Sequence, residues 1–136
     1  MADTKALARR FYEEVVNSRN LDAIDDMVTP NFVEHEALPG MANDASAVKQ
    51  FFTMTFEAFP DLKIEVLDLI AEGDRVAARC TMSGTQKGAF MDIPATGKHM
   101  AVQVIDIIRF EGDKVAEHWG VTDQAAMMEQ LGVAPS

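Results

Sequence analysis

Apolar residues recur at helical spacing in the first part of the chain and at strand spacing in the rest. Leu7, Phe11 and Val15 fall four apart, behind a capping Thr4 and with Arg9, Arg10, Glu13 and Glu14 on other faces, which predicts a first helix ended by Asn17 to Asn20. A short second helix is expected from Leu21 to about Val28, with Ile24, Met27 and Val28 inward and Pro30 stopping it. Residues 31–35 read as a short extended segment, Val33 and His35 on one face and Phe32 and Glu34 on the other. Asn43 or Asp44 then caps a third helix whose Val48, Phe51, Phe52, Thr55, Phe56 and Phe59 form a wide apolar side, with Pro60 closing it.

From Leu62 the period changes to two. Ile64, Val66, Asp68 and Ile70 alternate with Lys63, Glu65, Leu67 and Leu69, and Gly73-Asp74 turns the strand back. Strands follow over 75–86, where Gly84 suggests a bulge, and over 100–110 and 114–121, the last two joined by a turn at 111–113. Between them, 87–98 is a long loop with Gly88, Pro94 and Gly97, expected to lie as a lid over whatever the sheet encloses. A final helix over 123–131 ends at Gly132. Helices first and a four-stranded antiparallel meander after them make an α+β fold, one domain of 136 residues, with helices packed on one face of a curved sheet.

Composition narrows the classes of function. Twelve basic against twenty-two acidic side chains leave a net charge of −10, which repels nucleic acid and anionic membranes. No apolar run reaches membrane-spanning length and the N-terminus lacks an apolar signal core, so a cytoplasmic location is expected. The lone Cys80 sits in a strand pattern and reads as a small buried residue. Nine methionines suit an adaptable apolar interior, whether pocket or plain core.

Phosphate-binding loops, CxxC pairs, HExxH and nucleophile elbows are all missing, and His35, His99 and His118 have no ligand spacing, so that a metal site would arise only by accident of folding and acid/base chemistry remains. Asp106 interrupts an apolar strand on the face of Val102, Val104 and Ile108. Lining a cavity, it would keep its proton and donate a hydrogen bond to a developing oxyanion; otherwise it faces solvent or pairs with Arg79 or Arg109. Trp119, Val121 and Asp123 share a face by alternation, so Asp123 is either a general acid/base beside an apolar tryptophan wall or the N-cap of the last helix. His118 alternates against Trp119 and falls on the outer face with Ala116. His35 is a pocket residue or a surface histidine among Glu34 and Glu36.

Phe59-Pro60-Asp61, the 94–98 segment Pro-Ala-Thr-Gly-Lys, and Glu117-His118-Trp119 through Asp123, in this order, resemble the SnoaL-like polyketide cyclases of the nuclear transport factor two-like superfamily. The resemblance implies a cone-shaped (cystatin-like) α+β barrel and an intramolecular aldol closure of a small apolar carbonyl compound such as a polyketide ester, by acid/base residues without cofactor or metal. It makes Asp123 the catalytic aspartate, with His35 and Asp106 as further catalytic candidates and Trp119, Phe11, Phe56, Phe59 and Val104 as substrate-binding residues. The strand around Asp106 also resembles that of ketosteroid isomerases, although the general-base aspartate of those enzymes is replaced by His35 and their first-helix tyrosine by Phe11, with Tyr12 beside it. A non-catalytic ligand-binding or dimerisation module is the competing class. Strands apolar on both faces imply a homodimer through the face that the helices leave uncovered.

Overall fold

The computed structural model describes residues 3–133. Helix α1 (Thr4–Arg10) is capped by the Asp3 side chain rather than by Thr4, and it runs directly into a π-helical segment, Phe11–Asn17, where Ser18 N–H reaches back to the Glu13 carbonyl. A 3₁₀ turn (Leu21–Ala23) and the single turn α2 (Ile24–Met27) lead into strand β1, Val28–Glu34. Helix α3 (Ala45–Ala58) is capped by Asp44. Strands β2 (Lys63–Glu72), β3 (Arg75–Thr85), β4 (His99–Glu111) and β5 (Lys114–Thr122) follow, and α4 (Gln124–Gln130) closes the described chain.

The meander is extended to five strands in the order β1-β5-β4-β3-β2, because the segment read as merely extended pairs with β5 in parallel. Pro30 is tolerated there since β1 is an edge strand with no further partner to supply. The curved sheet folds over the N-terminal helices, an α+β cone, and the core between them takes in Val15, Val16, Ile24, Val76, Ala78, Cys80 and Met100, all essentially without solvent contact.

Two bulges decide which side chains enter that core. In β2, Val66 pairs with Cys80 and Asp68 with Arg79, so Leu67 is an extra residue and alternation inverts beyond it. Leu69 therefore packs inward while Asp68 and Ile70 turn outward, against the simple alternation expected from the sequence. In β5, Arg109 pairs with Glu117 but Phe110 with Val115, which makes Ala116 the extra residue. Gly84 marks no bulge: β3 and β4 pair without a break through it, and its missing side chain leaves room for Phe59, whose Cβ would lie 3.0 Å from an added methyl.

The loop over 87–98 is a plug at the end of α3 rather than a lid. Its Phe90 packs edge-on against Phe59, and Gln86 and Thr96 tie its base together through a 2.8 Å hydrogen bond.

The outer sheet face carries Leu67, Ile70, Ile105, Ile107 and Val121 in the open, and no helix covers them among the described residues. Apolar patches of this kind favour association. Light scattering at micromolar concentration is expected to report a particle near twice the 14.9 kDa of one chain; a monomer would show that this face remains in water.

Candidate active site

The cone encloses a cavity of about 220 Å³ between the sheet, the first helical segment and α3. Its walls are mostly apolar, including Phe11, Phe32, Phe51, Phe52, Val104 and Ile108, and Glu36, Leu38 and Met41 of the loop after β1 also line it. Four of the polar lining groups are linked to one another. Tyr12 O–H donates to Asp106 Oδ2 at 2.6 Å, Asp106 Oδ1 lies 2.8 Å from His118 Nε2, and His118 Nδ1 lies 2.6 Å from Glu34 Oε2. Four side chains from the first helical segment, β4, β5 and β1 thus form one continuous chain of hydrogen bonds along the cavity wall.

Local structure explains how each arrives there. The fully buried Ala8 lets α1 approach the sheet closely, and Tyr12 lies on the same buried stripe, with Leu7 and Phe11 at its margin. The π-helical winding that begins at Phe11 is a device that recurs at functional sites. In β5 the extra residue Ala116 inverts the alternation, so His118, Gly120 and Thr122 face the cavity while Glu117, Trp119 and Val121 face outward. Parallel pairing of Glu34 with His118 brings Glu34 to the same inner face. Gly120 is a steric requirement: a Cβ there would sit 2.5 Å from Asp106 Oδ1 and 3.1 Å from His118 Nε2.

The charges are interdependent. Burial works against protonation of His118, but hydrogen bonds to Asp106 and Glu34, reinforced by their negative charges, overcome it and lift the imidazole from 6.5 to about 10. His118 is therefore an imidazolium at neutral pH, donating from both nitrogens. Burial, and then the neighbouring Asp106, push the Tyr12 phenol well above its usual value, so it remains a neutral donor. Asp106 thus has a hydrogen-bond partner on each carboxyl oxygen, Tyr12 on Oδ2 and His118 on Oδ1.

The other sequence candidates separate into three groups. Phe11 and Val104 line the cavity with Asp106. Phe59 is fully buried against Phe90, and Phe56 lies beneath the Arg19 guanidinium, 4.4 Å from its ring centroid; neither lines the cavity. His35 and Trp119 are together but on the outer face: their rings stack at 4.7 Å, with the Arg75 guanidinium also over the indole, 5.0 Å from its centroid, and Glu117 bridging His35 to Arg109. The bulge at Ala116 is the reason that the tryptophan wall is outside. Asp123 caps α4, its Oδ1 accepting from Ala126 N–H at 3.0 Å, and it is exposed outside the cavity lining. Tyr12, Glu34 and His118 were missed as site residues because helical stripes and strict alternation place them elsewhere. Two signals point to them: Tyr12 stands next to the position of the isomerases' first-helix tyrosine, and Gly120 is a glycine inside a strand, which often marks close approach.

Two outcomes follow from this geometry. Gly120→Ala is expected to fold with a stability loss of about 1–3 kcal/mol from overpacking, and to lower the imidazole titration of His118, read by nitrogen-15 NMR; an unchanged titration would show that the pair tolerates the methyl. His118 keeps its proton in the fold over a range where the unfolded chain, titrating near 6.5, loses it. Its stabilising contribution is complete below about pH 6.5 and is lost as the pH rises through about 10. The urea midpoint should fall between pH 7 and pH 10, with a shallower slope in His118→Gln; equal slopes would remove His118 as the titrating group.

The comparisons with known proteins agree with this architecture. The model of the SnoaL-like polyketide cyclases matches residues 6–131. TsrD from Streptomyces laurentii superposes with a TM-score of 0.86 at 27% identity, over 96% of each chain. IdmH from Streptomyces antibioticus, a proposed polyketide cyclase, gives 0.84 at 29% identity over 97% of this chain and 100% of its own. AclR from Streptomyces galilaeus, a proposed hydroxylase, gives 0.84 at 32% over 99% of each. Among curated proteins, the "Probable cyclase otaY" of Aspergillus niger is 29% identical over 91 residues, 66% of this chain and 75% of that protein. With a family model covering nearly its whole length and a cone built on the same plan, this chain belongs to the SnoaL-like polyketide cyclase family.

Proposed function

We propose that the chain is an acid/base enzyme that closes a ring in a small apolar carbonyl compound by an intramolecular aldol step. The observation that carries this reading is the Tyr12–Asp106–His118–Glu34 chain on the wall of an otherwise apolar cavity. Such a wall holds a base, a neutral donor and a fixed positive charge within reach of one another, in surroundings that strengthen each interaction.

Asp106 is assigned as the base. Its carboxylate takes a proton from the carbon beside a carbonyl, and the electron pair moves onto that carbonyl oxygen as an enolate. Once Asp106 is protonated, Tyr12 is no longer needed as its donor and turns its O–H to the enolate oxygen. The enolate carbon then attacks the second carbonyl carbon, forming the ring bond, and the new alkoxide oxygen recovers the proton from Asp106. His118, charged throughout, offsets the negative charge that moves between carboxylate and substrate, while Glu34 holds the imidazolium in place.

The 2.6 Å contact between Tyr12 and Asp106 favours a second reading. A tyrosine and an aspartate side by side are the oxyanion pair of ketosteroid isomerases, and Glu34, not His35, is the inward carboxylate at the end of β1. An isomerase would use Glu34 as base and shift a proton between two carbons without forming a bond.

One experiment separates the roles of the aspartates. On activated methyl-ketone and polyketide-ester substrates, Asp106→Asn is expected to lower turnover by about 10²-fold or more, the scale of general acid/base catalysis. Asp123→Asn, which preserves a good helix cap, is expected to stay within about twofold. The opposite pattern would transfer the catalytic role to Asp123. Binding of these compounds by wild type with no conversion would favour a ligand-binding module, and double-bond migration without cyclisation would favour the isomerase.

A further inference from the structure

We propose that the cavity selects an uncharged compound of one or two rings and rejects the carboxylate form of the same compound. This deepens the reading above, since it rests on the same cavity being the substrate site.

The charged side chains that line the cavity are mostly acidic. Glu34, Glu36 and Asp106 are carboxylates and His118 is the single cation; no lysine or arginine lines the cavity among the described residues. Both N–H groups of His118 already serve Asp106 and Glu34, so the positive charge is committed. A ligand carboxylate entering past Glu36 would meet net negative charge at the mouth and again at the wall. It would also surrender its hydration with no cationic or unengaged charged donor to replace it, which is the costly case for a buried ion. A ketone, ester or phenol asks for a single hydrogen bond, and Thr122 and Gln124 are lining residues able to donate one.

A dry cavity of about 150 Å³ accepts a benzene ring. About 220 Å³ is roughly half as much again, enough for a second fused ring or a ring with a short ester arm, and below the usual range of about 300–1,000 Å³ for drug-sized ligands. Phe51 and Phe52 stand edge to face, 5.3 Å apart, on the α3 side of the lining, and Leu38 and Met41 line it from the loop after β1. A rigid four-ring system exceeds this volume and cannot sit wholly inside it without displacing these side chains.

The test measures binding alone, by calorimetry at pH 7.5, with methyl 2-naphthoate, 2-naphthoate and methyl pyrene-1-carboxylate as probes. The naphthoate ester is expected to bind at least about tenfold more tightly than either of the other two. Its aromatic protons should show NOEs to methyl groups of Val104 and Ile108, which line the cavity, and not to those of Ile105 and Ile107 on the outer face. In Glu36→Gln the ester-to-carboxylate ratio should narrow at least about threefold. The proposal is overturned if the carboxylate binds as tightly as its ester, if the pyrene ester binds as tightly as the naphthoate ester, if the ratio is unmoved in Glu36→Gln, or if the naphthoate ester fails to bind or shows NOEs only to the outer face. Because no turnover is read, an enzyme that proves inactive on every carbonyl substrate would remove the acid/base reading and leave this one to stand or fall by binding.

Discussion

The placement of one partly buried cation between two buried carboxylates is the interaction on which the site depends. Asp106 and Glu34 are both largely withdrawn from water, and unpaired carboxylates in an apolar interior would be strongly destabilising. His118 resolves this by bonding to both, and Tyr12 supplies Asp106 with its second donor. The arrangement is stable as a set, since loss of any one member strands a charge or a donor.

Because its members come from separated parts of the chain, the network also joins elements that the sheet alone does not fix. Residues 12 and 106 lie ninety-four positions apart, and Glu34 and His118 eighty-four. The parallel pairing of β1 with β5 brings the second pair together, and the packing of the first helical segment on the sheet brings the first. Ala8 and Gly120 contribute by what they lack: one allows helix and sheet to approach, the other allows carboxylate and imidazole to meet.

The apolar remainder of the cavity gives the polar wall its leverage. Phenylalanines from the first helical segment, β1 and α3 keep the surroundings poorly polarisable, so a proton moved by Asp106 changes the local field more than it would in water. A net negative wall beside an apolar chamber links chemistry and selectivity through the same residues. The outer face has a different composition, with the Arg75–Trp119–His35 stack and the Glu117–Arg109 pair beside exposed isoleucines and valine. It shares no charged group with the cavity.

By itself, the sequence determined the α+β class, the order of the main helices and of the four meander strands, the turn at Gly73 and the burial of Cys80, and it offered the Asp44 and Asp123 caps and the inward position of Asp106 as one of two readings each. These depend on local periodicity and capping, which neighbouring residues settle among themselves. Tertiary structure decided the faces of β2 beyond Leu67 and of β5 beyond Ala116, the entry of β1 into the sheet, and the choice of Tyr12 over Phe11. Each depends on a partner distant in the chain. A bulge exists only relative to the strand opposite, and once Ala116 has no counterpart between Arg109 and Phe110, every later residue of β5 changes face. That single unpaired residue carries Trp119 outward and His118 inward, and alternation within one strand contains no trace of it.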